Sequence, residues 1–133
     1  MLDLLAAALV LLSSLFVPGA ELLGPNARNV SQQSSIVRDG RQYAGYAEWW
    51  YDSSGNYREQ IVIDTSQYPS EYLACLLVHE AAHLTFKDDS TRGLEEVPYL
   101  YEYVCLDRLG APQWLKDDRY RQMSQRRNYE DSR

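Results

Sequence analysis

The chain has few cysteines and fewer basic than acidic residues, and each shortage excludes a class of protein. Two cysteines in 133 residues cannot form a disulfide-rich scaffold, and Cys75 and Cys105 do not make the CxxC motif of redox or structural zinc sites. The net charge of −6 argues against binding to nucleic acid or to an anionic membrane surface. A chain of this length instead folds as one domain around a modest hydrophobic core.

Four arginines near the C-terminus are the exception to this acidic balance. Acidic and amide residues interrupt them, so their pattern indicates the solvated face of a helix rather than an arm that binds nucleic acid. These residues are Arg119, Arg121, Arg126 and Arg127.

A long apolar run occupies residues 4–17 at the N-terminus. It is shorter than the roughly 20 residues of a membrane-spanning helix, and it is typical of the central region of a signal peptide. Small residues follow the run, so we expect cleavage after Gly19 or Ala20. Residues 1–20 are therefore predicted to be a signal peptide or, if uncleaved, an N-terminal anchor. A buried first helix is the third interpretation, which we do not favour because the run has no polar face over four turns. We expect an exported protein, periplasmic or secreted, that contacts a membrane only if this segment is retained.

The remaining residues fall into three segments of different composition. Residues 21–35 are polar and include Gly24 and Pro25, a composition typical of a flexible arm. Residues 36–128 carry regularly spaced apolar and aromatic residues and are predicted to form the domain. Residues 129–133 are predicted to be a tail.

Two strand-like segments, residues 42–51 and 57–64, flank the turn residues 52–56. The segments are rich in aromatic and β-branched residues, and the turn contains Asp, Ser, Gly and Asn, so we expect a β-hairpin. The run at the end of the first segment, Glu48-Trp49-Trp50-Tyr51, could pair with a substrate or form part of the core, and we favour the core.

Three helices are expected after the hairpin. The first starts near Ser70 and ends near Phe86. The second starts between residues 94 and 97 and ends before Gly110, and the third spans about residues 113–126. These elements predict an α+β fold, in which a β-hairpin or small antiparallel sheet packs on a helical hairpin and a C-terminal helix follows.

The first helix contains both histidines of the chain, in the segment His79-Glu80-Ala81-Ala82-His83. Because His79 and His83 are four residues apart, their rings project from one helix face, which suits two nitrogen ligands on one tetrahedral Zn²⁺. Glu80 is turned by about 100° from His79, which places its carboxylate beside the metal. There it could take a proton from a bound water.

This motif, followed by a helix that carries glutamates, resembles the zincin metallopeptidases and among them the gluzincins. The resemblance covers residues 57–110: a strand, the HExxH helix, a loop and a Glu-bearing helix. Residues 76–83 and 108–112 also look like those of short bacterial metallopeptidases of this kind.

The resemblance implies a minimal zincin-like domain within residues 36–128. It implies a Zn²⁺ ion bound by His79, His83 and a glutamate of the following helix. It also implies hydrolysis of a peptide or amide bond by a water that Glu80 activates.

Two glutamates of the second helix are candidates for the third zinc ligand. Glu95 and Glu102 flank the apolar face of this helix, whereas Glu96 points away and is expected to be solvated. Antiparallel pairing of the two helices puts Glu95 level with His83 and Glu102 level with His79. We favour Glu95 as the ligand and Glu102 as a carboxylate that orients a histidine N–H, and the reverse assignment stays open.

The same antiparallel pairing places Cys75 opposite Cys105. A disulfide between them would tie the far ends of the two helices together and stabilise the fold by about 2–4 kcal/mol. Two buried thiols are the alternative.

A second zincin class, the metzincins, has the motif HExxHxxGxxH, sometimes with Asp in the last position. Asp89 occupies that position here. Phe86 stands where the motif needs glycine for a sharp turn, so we do not favour Asp89 as a ligand.

The chain has no third histidine to stabilise an oxyanion, so a tyrosine would have to take that role. Aromatic packing is the alternative for each candidate, and the candidates are Tyr51, Tyr99, Tyr101 and Tyr103. In the zincin family, an edge strand above the active helix pairs with an extended peptide, and the hairpin of residues 42–64 could supply that edge.

The sequence therefore predicts a zinc-dependent, metallopeptidase-like protein that acts on a peptide or protein substrate. The alternative is a non-catalytic exported binding module with a zincin-like fold. A third hypothesis is a structural exported protein whose aromatic hairpin binds a partner.

Overall fold

The computed structural model of the chain describes residues 7–8, 11–12, 17–23, 29–86 and 95–131, and the side chains of this last range as far as residue 124. From residue 29 onward, the described residues contain three α-helices, a three-stranded sheet and a two-stranded sheet. This architecture confirms the predicted α+β class.

The predicted β-hairpin is present as strands β4 (Gly45–Tyr51) and β5 (Tyr57–Ile63), which pair antiparallel. Asp52 organises the turn between them, because its side chain accepts hydrogen bonds from the backbone N–H groups of Ser54 and Asn56. Gly55 completes the turn with a positive φ of 80°, a conformation that glycine adopts without steric cost.

A strand that the sequence analysis did not predict lies at the other side of β5. Strand β1 (Asn29–Gln32) pairs in parallel with β5, so the sheet order is β1-β5-β4 and the sheet is mixed rather than antiparallel. The prediction of a flexible arm over residues 21–35 was therefore wrong for this segment. Val30 is the residue of this strand that packs against the core. Because one apolar residue makes no alternating pattern, the sequence did not indicate a strand here.

A separate two-stranded antiparallel sheet connects β1 to the hairpin. It consists of β2 (Ile36–Arg38) and β3 (Arg41–Tyr43). Ile36 is its buried residue, with 1% of its surface exposed. The strands of both sheets thus precede these three helices.

The three helices follow at the predicted places, with differences at their ends. Helix α1 spans Leu73–Thr85, and the residues expected to open it, Ser70–Tyr72, form a short 3-10 turn. Helix α2 spans Glu96–Arg108, and Gly110 follows it with a φ of 74°.

Helix α3 spans Gln113–Asp131 and is longer than the sequence indicated. The predicted tail of residues 129–133 was therefore wrong as far as Asp131, and residues 132 and 133 lie outside the described part of the chain. Because the side chains beyond residue 124 are also outside it, the predicted exposure of Arg126 and Arg127 stays a prediction.

Helix α1 is the centre of the fold. It packs against α2 on one side and against β4 and β5 on another, and every residue from 73 to 82 is buried. A helix in such a position is apolar around most of its circumference, which explains why its few polar residues stand out in the sequence.

Three of the five described residues of the apolar N-terminal run lie in the hydrophobic core, and the other two, Ala7 and Leu11, are exposed. Ala8, Leu12 and Val17 are at most 3% exposed, and the 3-10 turn Ala20–Leu23 packs on α1. Residues 1–6, 9–10 and 13–16 lie outside the described part of the chain. The signal peptide or anchor stays a prediction, and no helix among the described residues has the length and apolar character needed to span a membrane.

The two cysteines form a disulfide that links α1 to α2. Cys75 lies on α1 and Cys105 on α2, and both side chains are fully buried. Of the two alternatives that the sequence left open, the structure has the disulfide. It closes a loop with a sequence separation of 30 residues.

Removal of this disulfide should lower the free energy of unfolding by about 3.6 kcal/mol, because a loop of this length constrains the unfolded chain. Urea denaturation of the Cys75→Ala/Cys105→Ala variant measures the loss. The wild-type protein should become equally less stable when a reductant is added, whereas the variant should not respond to the reductant. An unfolding midpoint that is the same in all four conditions would contradict the structural role of the disulfide.

Candidate functional site

His79 and His83 lie one turn apart on the face of α1 that meets α2. Their ring centroids are 5.2 Å apart. The His79 side chain is 2% exposed and the His83 side chain is 17% exposed, so the pair runs from the interior towards the surface. The two rings therefore project from the same face of α1, as the sequence predicted.

Glu95 brings a carboxylate to both histidines. It immediately precedes α2, and its Oε2 atom lies 2.8 Å from Nε2 of His79 and 3.4 Å from Nε2 of His83. Glu95 is 8% exposed, so this convergence is screened from solvent. One oxygen and two ring nitrogens from two helices thus meet at one point.

Glu80 lies beside this point, on the sheet side of α1. Its Oε1 atom is 3.8 Å from Nε2 of His79, and the residue is 2% exposed. The strand β4 approaches so closely that a Cβ on Gly45 would lie 3.6 Å from Cγ of Glu80 and 3.0 Å from the carbonyl oxygen of Val62. Among the described residues, Oε2 of Glu80 is a buried side-chain oxygen without a hydrogen-bond partner.

Two carboxylates therefore lie close enough to the histidines to complete a group that could hold a metal ion. Ligand atoms of His79, Glu80 and His83 all lie within 4.8 Å of one another, so proximity admits Glu80. Glu95 is closer to both histidines, and its 3.4 Å contact with His83 is near the separation of about 3.3 Å between two ligands of a tetrahedral zinc ion, whereas its 2.8 Å contact with His79 is shorter. Of the two carboxylates, Glu95 is the nearer to both ring nitrogens.

Glu102, the alternative third ligand, has both oxygens engaged by other groups. Its Oε1 atom is 2.7 Å from Nδ1 of His79 and accepts a hydrogen bond from Nη2 of Arg119 at 3.2 Å. Its Oε2 atom accepts hydrogen bonds from Nε of Arg119 at 2.6 Å and from the Tyr68 hydroxyl at 2.7 Å. Glu102 thus faces the side of His79 that points away from His83 and Glu95, where it can orient the ring.

Two residues of this network, Arg119 and Tyr68, were not identified from the sequence. The interpretation of Arg119 as part of a solvated helix face was wrong, because the residue is 5% exposed and reaches Glu102. Its long aliphatic stem lets a charged residue on a polar helix enter the interior. The sequence offered one signal for Arg119. A glutamate buried on α2 with no basic residue beside it in sequence needs a cation from elsewhere in the chain to compensate its charge.

The two carboxylates on either side of His79 determine its protonation. Burial by itself lowers the pKa of His79, but Glu95 and Glu102 outweigh burial and raise the pKa to about 10. Because carboxylates only accept hydrogen bonds, the 2.7 Å and 2.8 Å contacts are those of a ring that donates from both nitrogens. The raised pKa thus favours the doubly protonated His79 ring in the metal-free protein, with a carboxylate at each nitrogen.

Glu102 is ionised despite its complete burial. Burial raises the pKa of its carboxyl, but Arg119 and His79 outweigh burial and lower the pKa to about 2. The pKa of Glu95 is held well below its usual range in the same way, because the charge of His79 outweighs the effect of burial. The lowered pKa values keep these two carboxylates, Glu95 and Glu102, charged over the physiological range.

The tyrosines considered for an oxyanion lie in aromatic contacts. Tyr99 packs against Tyr103 and Tyr120, and Tyr101 stacks on Phe86. Tyr51 is 72% exposed at the end of the hairpin and contacts Tyr57. Aromatic packing, the alternative interpretation, thus describes the contacts of all four candidates, and Asp89 lies outside the described residues.

The aromatic run of β4 is at the surface rather than in the core. Trp49, Trp50 and Tyr51 are 36%, 42% and 72% exposed. The sequence analysis favoured the core for this run, and that prediction was wrong.

The charge of His79 should make the metal-free protein less stable at alkaline pH. Its folded-state pKa of about 10 lies above the ordinary 6.5, so its stabilising effect is complete below pH 6.5 and is lost as the pH rises through 10. The free energy of unfolding should fall with a slope approaching about 1.4 kcal/mol per pH unit between about pH 7.5 and 9.5. Urea denaturation in the presence of a chelator measures this slope.

The His79→Gln variant serves as the control for this measurement. It removes the titrating ring, so its stability should be almost independent of pH over the same range. A wild-type protein whose stability also stays constant from pH 7.5 to 9.5 would show that His79 does not carry the proton.

Comparison of the chain with protein-family models, with curated proteins and with solved structures finds no match. The HExxH segment and its neighbours do not by themselves assign the chain to the zincin family. What the site does therefore has to be inferred from the chemistry of its own residues.

Proposed function

We propose that the protein binds one Zn²⁺ ion through His79, His83 and Glu95 and uses Glu80 to hydrolyse a peptide or amide bond. The observation that carries the proposal is the convergence of one Glu95 oxygen with Nε2 of both histidines, at 2.8 Å and 3.4 Å. Two imidazoles and one carboxylate are a ligand set that catalytic zinc sites use.

The donor atoms fit such an ion. Glu102 binds Nδ1 of His79 and thereby leaves Nε2 as the nitrogen that can act as ligand. At 2.8 Å, Nε2 of His79 in its protonated form donates a hydrogen bond to Glu95. This proton has to leave before the nitrogen can bind a metal.

The charges around His79 favour a divalent cation. Three buried carboxylates, those of Glu80, Glu95 and Glu102, face one buried guanidinium, that of Arg119. In ionised form they leave two uncompensated negative charges, which a divalent ion would neutralise while the histidines stay neutral. A buried net charge is costly, so this balance supports a bound divalent metal.

Glu80 is suited to act as the general base. When bound, Zn²⁺ polarises a carbonyl group and lowers the pKa of water. Glu80 offers an oxygen, Oε2, that is buried and has no partner among the described residues, so it can accept a proton from a water beside the histidines. Its Oε1 atom is 3.8 Å from His79, which keeps the carboxylate next to the ligand set.

The sheet offers a place for an extended substrate. Strand β4 is at the edge of the described three-stranded sheet, and Gly45 at its start lies against Glu80. A peptide added along this edge would pair with the strand backbone and pass close to Glu80. Export of the protein is part of the proposal, and the disulfide between Cys75 and Cys105 is typical of proteins in oxidising compartments.

A second function, a non-catalytic module whose metal site stabilises the fold, is favoured by one observation. Glu80 and His79 are each only 2% exposed, whereas a base that acts on a substrate has to be reached by it. His83 is the more open member of the motif, with 17% of its side chain exposed. The two functions share the zinc ion and differ in whether Glu80 takes part in a reaction.

Purified full-length protein should contain one zinc ion per chain, and Glu95→Gln should weaken zinc binding more than Glu102→Gln does. A residue that only orients a ligand typically contributes roughly 10- to 100-fold to metal affinity, and loss of a ligand costs more. Competition with a chromogenic chelator measures both affinities. The neighbouring Glu96→Gln variant is the matched control and should bind zinc as the wild type does. A wild-type protein without stoichiometric zinc, or Glu95→Gln with unchanged affinity, would contradict the proposed ligand set.

The Glu80→Gln variant should keep its zinc and lose hydrolysis by about 10²- to 10⁴-fold, because an amide cannot accept the proton from water. Hydrolysis is measured on a library of fluorogenic peptides, and zinc content is measured on the same samples. Equal rates for the variant and the wild type would exclude Glu80 as the base. A zinc-loaded wild type that cleaves no peptide of the library would favour the non-catalytic module.

A further inference from the structure

Arg119 is a charged residue that α3 places in the interior of the protein. It is 5% exposed and its guanidinium group donates two hydrogen bonds to Glu102, at 2.6 Å and 3.2 Å. By contrast, Arg121 on the same helix is exposed and forms a surface ion pair with Asp118. The two arginines therefore differ in what they contact, although they lie two residues apart.

The two hydrogen bonds of Arg119 fix both the charge and the orientation of Glu102. A guanidinium that contacts both oxygens of a carboxylate defines the plane of that carboxylate as well as neutralising it. The Tyr68 hydroxyl adds a third hydrogen bond, to Oε2. Glu102 has no solvent exposure, so these donors replace the water that would otherwise hydrate it.

Of the two histidines, Glu102 contacts and orients His79 only. Its Oε1 atom is 2.7 Å from Nδ1 of His79, a ring that is buried on all sides. His83 is more exposed, and its nearest ionic partner is Glu95 at 3.4 Å. The two histidines of the motif are therefore held to different degrees.

We propose that Arg119 is a positioning residue for the metal site, which holds Glu102 against Nδ1 of His79 and so makes His79 the fixed ligand while His83 adjusts to the ion. The part of this proposal that concerns metal affinity rests on the proposed zinc site. The part that concerns the orientation of His79 does not, because the contacts exist in the protein without a metal. Helix α3, which lies outside the HExxH helix and the glutamate helix, thereby becomes a component of the site.

Imidazole NMR can test the orientation of His79 directly, because the chain contains only two histidines. The four ring nitrogens and their bound protons can be assigned with His79→Gln and His83→Gln variants. In the wild type, the proton on Nδ1 of His79 should resonate far downfield and exchange slowly, because it is donated to a buried carboxylate. The Arg119→Met variant should shift this proton upfield and speed its exchange, and the resonances of His83 should stay in place.

The Arg119→Lys variant keeps the positive charge without the two-pronged contact, and it guards against a methionine variant that fails to fold. It should move the His79 resonance in the same direction by a smaller amount. Tyr68→Phe removes one donor to Glu102 and should have a similar small effect. Arg121→Met is the matched control on the same helix and should change neither histidine.

Zinc affinity provides the second measurement. Arg119→Met should raise the zinc dissociation constant by about 10- to 100-fold, the range found when a group that orients a metal ligand is lost. Arg119→Lys should raise it less, and Arg121→Met should leave it unchanged. Thermal unfolding with and without zinc should show that Arg119→Met reduces the increase in Tm that zinc gives the wild type.

A purely structural role for Arg119 would give a different pattern. The Tm would then fall equally with and without zinc, while the His79 resonances and the zinc dissociation constant stayed at their wild-type values, and this result would overturn the proposal. If the wild type binds no zinc, the proposed function fails, yet the His79 spectrum of the metal-free protein still decides the positioning role. An unchanged His79 spectrum in both Arg119 variants would reject that role in either case.

Discussion

The ionised carboxylate of Glu102 is the constraint on which the arrangement of the interior depends. A charge without solvent exposure is tolerated only if donors surround it, and here the donors come from three separate parts of the chain. His79 belongs to α1, Tyr68 precedes that helix, and Arg119 belongs to α3, while Glu102 itself lies on α2. The same set of hydrogen bonds therefore connects the three helices and holds the candidate site in place.

The features that could be predicted from the sequence depend on short-range patterns. The hairpin follows from a turn-forming segment between two β-prone segments, and the HExxH helix follows from the spacing of His79 and His83 within an apolar stretch. The pairing of Cys75 with Cys105 also came within reach, because two helices joined by a short connection have to run antiparallel. In each case the residues that decide the structure lie on one element or on two consecutive ones.

The features that could not be predicted depend on contacts between distant residues. Strand β1 joins the sheet through parallel pairing with β5, and its own residues are mostly polar. Arg119 and Tyr68 contact Glu102 across 17 and 34 residues of sequence. The residues next to them in sequence do not indicate that either side chain is buried. A polar helix with one inward-pointing arginine has the same composition as a fully solvated helix, so its charge pattern could not distinguish the two.

The disulfide has a topological consequence for the site. Its two cysteines, Cys75 and Cys105, enclose every residue that the site brings together from α1 and α2, since all of them lie between these positions in the sequence. The two helices are thus covalently connected twice, by the peptide chain and by the disulfide bond. A single break of the backbone between the helices would leave their side chains on one covalent molecule, so the grouping of these side chains does not depend on an intact connection between the helices.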